Sequence, residues 1–168
     1  MIYFIGIDIG TTGAKAVLMD VNGIVVTTAT NEYPMFTPQP LWAEQNPEDW
    51  WSATCKSLSG VINKANISSS EIKGIGLTGQ MHGLVTIDSN GKVLYPCIMW
   101  NDQRTGEECK DIEEKIGFNE LLSITGNQVL PGFTAPKILW LRKNKPDVYT
   151  KIKKILLPKD YIRFKLTN

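Results

Sequence analysis

The sequence predicts an α/β fold: a mixed sheet whose first three strands are antiparallel, with helices on both faces. Two observations carry the antiparallel part. Three apolar runs, at about residues 2–9, 14–20 and 24–30, follow one another with only tight turns between them. No crossover helix fits in such turns, so the strands form an antiparallel meander. Asn22-Gly23 stands between two of these runs, and Asn-Gly is the strongest short-range hairpin signal. The helices rest on a third observation: from Pro47 onward helical and strand patterns alternate, which sets helices against a sheet.

Taken in order, residues 2–9 are apolar or glycine except Asp8, the pattern of a strand buried on both faces. A carboxylate at the end of such a strand is costly unless a cation or donors compensate it. The turn that follows holds Gly10 and Gly13, which can take positive φ and admit a group close to the backbone. Residues 33–46 carry Pro34, Pro38 and Pro40 and read as an ordered loop. A helix then starts with Asn46 as N-cap, Pro47 at the first helical position and Glu48 and Asp49 against the dipole. Trp50, Ala53, Leu58, Val61 and Ile62 form its apolar stripe. Residues 72–78 read as another buried strand, ending in Gly79-Gln80-Met81-His82-Gly83. A second hairpin spans residues 84–95 around Asn90-Gly91, and a short strand Ile98–Trp100 runs into Asn101-Asp102-Gln103-Arg104. Helices follow at 105–116, with Gly117 at its C-terminus, at 118–124, and at 134–145, where Pro146 stops it. A strand at 152–157 and an amphipathic helix at 160–166 complete the pattern.

The 168 residues suffice for one ordinary domain with a real core. Lysine plus arginine number 18 and aspartate plus glutamate 17, a net charge of +1. That balance gives no electrostatic case for nucleic acid or an anionic membrane. Cys55, Cys97 and Cys109 are odd in number and far apart, so neither a disulfide framework nor a zinc site is indicated. A reducing cytoplasm fits them best. The N-terminus lacks the features of a signal peptide, and no apolar run approaches the ~20 residues that cross a bilayer.

Two stretches carry chemistry. Around the first turn, Asp8 could hold Mg²⁺, while the hydroxyls of Thr11 and Thr12, the turn amides and Lys15 could cradle a phosphate. A glycine-rich hairpin with an Asp capping its own turn is the plainer reading. The second stretch holds His82, the only histidine. A lone histidine is more often structural than catalytic, but this one follows a strand's end, where ligands gather in α/β sheets.

These motifs resemble those of the FGGY family of sugar kinases, over essentially all 168 residues. Asp8-Ile9-Gly10-Thr11-Thr12-Gly13-Ala14-Lys15 is similar to the first phosphate loop of the actin-like ATPases, the superfamily that includes this family. Leu41–Gln45 with Pro47 and Trp50-Trp51 resembles the family's entry into its first helix. Gly79–Gly83 followed by Trp100–Arg104, and the run Gly132-Phe133-Thr134-Ala135-Pro136-Lys137-Ile138-Leu139-Trp140-Leu141, are its more specific marks.

The resemblance implies an RNase-H-like domain that binds a sugar in a cleft against a second, nucleotide-binding domain. It implies ATP-dependent phosphorylation of a sugar hydroxyl, with ATP and Mg²⁺ as cofactors and D-xylulose expected ahead of gluconate or another polyol. Residues 1–168 would be the N-terminal part of the first domain. The general-base Asp and the second domain would lie beyond Asn168, and the fragment alone would be inactive. A non-catalytic sugar-binding protein is the competing class. Asp8 would help place Mg²⁺ and the γ-phosphate, with Gly10, Thr11, Thr12, Gly13 and Lys15 on the phosphate side. The family often has Arg where Lys15 stands, and Lys offers a point charge without the bidentate fork. Met81, His82 and Trp100 would contact the sugar, His82 through a ring nitrogen and Trp100 through its face. Met81 and Trp100 could equally be core. Asp102 and Arg104 read as structural, as does Trp140. The expected partners are a small-molecule sugar and ATP, with no nucleic acid and no membrane; a homodimer is a further open expectation.

Overall fold

A computed structural model describes residues 1–168, which fall into two compact units. The first comprises residues 1–34, 46–80 and 158–168, and the second residues 35–45 and 81–157. The chain thus leaves the first unit twice, after its third strand and after the strand that follows its long helix.

The first unit is built on strands β1 (Tyr3–Ile9), β2 (Gly13–Asp20) and β3 (Val25–Glu32), with α1 (Pro47–Ala65), β5 (Ile72–Gly79) and α6 (Pro158–Thr167). The sheet order is β3-β2-β1-β5. β1 pairs antiparallel with β2, and β2 with β3, as the short turns require. β5 pairs parallel with β1, so the sheet is mixed, as expected. Gly23 turns the β2–β3 hairpin with φ 80°, the conformation its Asn-Gly signal predicts.

β1 departs from its expected burial on both faces. Ile5, Ile7 and Ile9 are buried, whereas Phe4 and Asp8 are exposed. Side chains alternate across a strand, and only the isoleucine face is covered by α1 and α6. The expectation of helices on both faces is therefore met for one face of this sheet. Asp8 stands on the open face, so no desolvation penalty forces a cation onto it. The strand at 72–79 is not buried either: Ile75, Gly76 and Thr78 are exposed, because β5 forms the sheet's edge.

The long helix has the predicted start. Asn46 accepts from the Glu48 amide, Pro47 takes the first position, and Glu48 and Asp49 sit in the first turn. Trp50 is fully buried, with Ala53 and Val61 along the same stripe. The Ser57 hydroxyl donates to the Ala14 carbonyl at 2.9 Å and accepts from the Asn31 amide at 2.9 Å, tying α1 to β2 and β3. Tyr161 and Lys165 of α6 both bond Glu48.

The second unit holds a separate antiparallel sheet, which the sequence pattern did not reveal as distinct. Its strands are β4 (Glu44–Gln45), β6 (Leu84–Ile87), β7 (Val93–Ile98) and β8 (Lys154–Leu156), in the order β4-β7-β6-β8. The expected strand at Ile98–Trp100 is the continuation of β7 into a turn. Helices α2 (Gly106–Ile116), α3 (Phe118–Thr125) and α4 (Thr134–Asn144) follow, and α5 (Pro146–Tyr149) is a single turn begun by the proline that ends α4. Leu84, Ile98, Trp140 and Leu141 form the core, packed by Trp42, Tyr95 and Ile138. Trp140 is therefore a core residue, as its reading from sequence anticipated. No helix is long and apolar enough to cross a membrane.

Truncating Trp50 removes the largest fully buried side chain of the first unit. Trp50→Ala is expected to cost about 3–5 kcal/mol, read from the urea unfolding midpoint. A loss below about 1 kcal/mol would contradict the packing described.

Candidate functional site

In the first unit the candidate residues gather at the β1–β2 turn. Asp8 lies opposite Lys15 across the antiparallel ladder and beside Thr78 across the parallel one. Period-2 alternation puts these residues on the open face with Gly6, Val17 and Gly76, where they line a shallow cavity of about 370 Å³. The turn is closed by the Gly10 amide donating to the Gly13 carbonyl at 3.0 Å. Neither Gly10 nor Gly13 has positive φ, contrary to the freedom expected of them. Gly13 is required for another reason: a Cβ there would stand 2.9 Å from the Asn31 carbonyl oxygen of β3.

Tyr33, which sequence reasoning passed over, straps this turn. Its hydroxyl donates to the Gly10 carbonyl and its amide to the Thr12 carbonyl at 3.2 Å. Burial raises the Tyr33 phenol well above its usual range, and the nearby Asp8 charge adds to the shift. Tyr33 therefore stays a neutral donor and keeps the turn closed. The result is an exposed carboxylate and an exposed ammonium beside a rigid two-threonine turn, a polar set suited to a charged ligand. No three His, Cys, Asp or Glu side chains gather as a metal cage, so a cation here would rely on Asp8 together with oxygens of its own ligand.

In the second unit the candidate residues flank two turns. Met81 is 67% exposed and Trp100 47%, so neither fills the core. His82 has φ 61°, and the Gly83 amide donates to the Met81 carbonyl at 2.8 Å. A three-residue turn with a positive central φ is the rare, strained form. Histidine visits this region only occasionally, and such conformations persist where the surroundings enforce them.

The enforcing groups come from the run that begins at Gly132. The Lys137 ammonium donates to the His82 carbonyl at 2.8 Å and to the Gly132 carbonyl at 2.7 Å. The Thr134 hydroxyl donates to the same His82 carbonyl at 3.2 Å. The Phe133 ring lies 4.6 Å from the imidazole. Gly132 itself admits no side chain, since a Cβ would stand 2.5 Å from the Trp100 carbonyl oxygen. A single motif therefore fixes both His82 and the backbone of Trp100.

Lys137 is fully buried. Burial lowers its pKa to about 8; Cys97 and Asp102 oppose that shift and Arg104 adds to it. His82 is lowered as well, first by burial and then by the Lys137 charge, which leaves the imidazole neutral near pH 7. A neutral ring carries one donor and one acceptor, the pair a polyol hydroxyl can use.

Asp102 and Arg104 build the floor under these turns, in agreement with the structural role expected of them. Arg104 pairs with Asp102 at 2.7 Å and with Glu44 at 2.8 Å, and its guanidinium lies 3.6 Å from the Trp42 ring centroid. Asp102 also accepts from the Ala43 amide. Glu44, Phe133, Thr134 and Tyr33 were missed as site-shaping residues. Three of them lie in motifs that the sequence displays, Glu44 in Leu41–Gln45 and Phe133 and Thr134 in the run from Gly132.

The model of the FGGY family of carbohydrate kinases, N-terminal domain, matches residues 3–168, and the chain belongs to that family. Among its relatives, the xylulose kinase of Lactococcus lactis subsp. lactis is 46% identical over the whole chain, which covers 33% of that protein. The gluconokinase of Bacillus subtilis is 36% identical over 99% of the chain and 32% of its own length. The crystal structure of a xyloylose kinase from Brucella ovis superposes with a TM-score of 0.91 at 41% identity, over 96% of this chain and 34% of that one. The chain spans about a third of the length of the relatives it matches.

The buried lysine gives a pH signature. Its folded pKa of about 8 lies below the ordinary 10.5, so between those values the unfolded chain holds a proton that the folded chain has shed. Stability contributed by Lys137 is therefore expected to rise with pH from about 8 to 10. Chemical denaturation of wild type and Lys137→Met across that range checks it, the difference cancelling the tyrosines and the thiols of Cys55 and Cys109, which do not face Lys137. A difference that stays flat with pH would contradict the burial of a proton-binding amine.

Proposed function

We propose that the chain is the N-terminal part of a carbohydrate kinase that transfers the γ-phosphoryl group of ATP to D-xylulose, giving D-xylulose 5-phosphate. The observation that carries this reading is the presentation of His82: a neutral imidazole, held by a strained turn next to an exposed Met81 and tied through the run from Gly132 to the backbone of an exposed Trp100. Identity supports the choice of sugar, at 46% to a xylulose kinase against 36% to a gluconokinase.

On this reading His82 hydrogen-bonds a sugar hydroxyl, and Trp100 offers its face to the C–H side of the carbon skeleton. Met81 supplies apolar contact. Gly10, Thr11, Thr12, Gly13 and Lys15 serve the phosphate end, where amides and one cation neutralise developing charge. Asp8 would hold Mg²⁺ together with nucleotide oxygens, and the metal would supply charge neutralisation at the phosphates. Phosphoryl transfer asks the protein mainly for positioning and electrostatics, which is what these residues provide. The general-base Asp and most of the nucleotide site belong, on this proposal, to the two-thirds of the relatives' length that the chain does not span. A cytoplasmic site of action fits the three free thiols.

Steady-state phosphorylation by the full-length protein across ketoses, polyols and aldonates tests the substrate. The highest kcat/KM is expected for D-xylulose, and preference for gluconate would overturn that choice. Binding of sugar with no turnover of ATP would favour a non-catalytic sugar-binding protein instead. His82→Ala is expected to raise the KM for xylulose tenfold or more, with the KM for ATP unchanged. Unaltered xylulose kinetics would remove His82 from the site.

A further inference from the structure

The run from Gly132 makes contacts around His82 that the proposed function leaves without a task. Its three conspicuous side chains converge on one residue. Phe133 lies against the His82 ring, while Thr134 and Lys137 both donate to the His82 carbonyl. Lys137 reaches back 55 positions to do so, and its second bond, to Gly132, anchors the ammonium to the loop just ahead of its own helix.

This arrangement is expensive for mere packing. A fully buried ammonium costs several kcal/mol in lost hydration, and a methionine of similar volume would fill the same space without that cost. Lys137 has no carboxylate within ion-pairing distance, since its bonds go to two carbonyls. The charged groups that face it are Asp102 and Arg104, with the Cys97 thiol of β7. What the cation does that an apolar side chain cannot is pull two carbonyls from different segments to one point. One of them belongs to a residue in the left-handed region. Without donors on its oxygen, the His82 peptide is free to relax to negative φ, and the imidazole then leaves its place beside Phe133.

We propose that Lys137, assisted by Thr134, is a positioning residue that fixes the His82 turn and thereby sets the protein's affinity for its sugar. The inference rests on the sugar-kinase reading for what His82 binds, and on geometry alone for how His82 is held. Lys137 touches no substrate in this account. Its effect is on where His82 stands, so it bears on the KM for the sugar and not on the chemical step.

The test uses the full-length protein with Lys137→Met, Lys137→Arg and Thr134→Val. Lys137→Met is expected to raise the sugar KM tenfold or more, with kcat within threefold and the KM for ATP unchanged. A folded Lys137→Met protein with a sugar KM within twofold of wild type would overturn the proposal. Lys137→Arg keeps the charge but brings a larger, planar group to a fully buried site where one ammonium nitrogen meets both carbonyls, so it is expected to fail to restore the KM; full rescue by arginine would reduce Lys137 to a bare charge and overturn its positioning role. Should Lys137→Met not fold, Thr134→Val decides: a rise of threefold or more in the sugar KM supports the proposal, and no change overturns it. A readout independent of catalysis is the His82 ring signal in NMR, assigned by its loss in His82→Ala. Its titration midpoint is expected to move up in Lys137→Met, because a nearby positive charge is gone, and an unmoved midpoint overturns the contact. If the wild type phosphorylates no sugar but the midpoint moves, the kinase reading falls and the positioning of His82 stands.

Discussion

The turn that presents His82 depends on the buried ammonium of Lys137. The Lys137 ammonium sits between the carbonyls of His82 and Gly132, at 2.8 and 2.7 Å, with no solvent contact. Two turns that come from distant parts of the chain are drawn to a common point by it. Everything that makes the His82 turn unusual, its positive φ and its closure over one residue, is tolerable because the carbonyl it exposes is answered by strong donors. The electrostatic floor below is similarly over-determined. Arg104 is bonded to two carboxylates and stacked on Trp42, so the segment from Trp100 to Arg104 has little freedom to follow a shifting ligand.

The first unit solves a different problem with different means. Its turn between β1 and β2 is held by neutral groups, chiefly the Tyr33 hydroxyl on the Gly10 carbonyl, and leaves its charges in water. Asp8 and Lys15 are adjacent across the ladder and exposed. A carboxylate in that setting is ready to share a cation with a charged ligand, because its hydration is given up only when the ligand arrives. One unit thus presents a preorganised neutral hydrogen-bonding ring, and the other an exposed charged pair. On the function proposed above, the first set would serve a sugar and the second a nucleotide phosphate.

Much of this was legible where the signal is local. The Asn-Gly turns at Gly23 and Gly91 take the positive φ that their chemistry predicts, and Asn46-Pro47 starts α1 where it should. The antiparallel meander followed from turn length alone. What escaped was tertiary in origin. β4 is two residues long, too short for any period, and exists because β7 pairs with it. β1 reads as buried on both faces because glycine and phenylalanine carry no polar mark, yet only its isoleucine face is covered. Lys137 is one letter in the run from Gly132, and nothing in the letters shows that two carbonyls 50 residues apart meet at its nitrogen. Trp100 could not be told from a core tryptophan until its exposure was seen.

The central claim is that donors on its carbonyl hold His82 in a conformation it would otherwise leave. The most direct measurement is the crystal structure of the Lys137→Met variant. The account predicts that His82 abandons the left-handed region for negative φ and that its ring moves off Phe133. A variant in which His82 keeps φ near +61° with its carbonyl facing the methionine would contradict it.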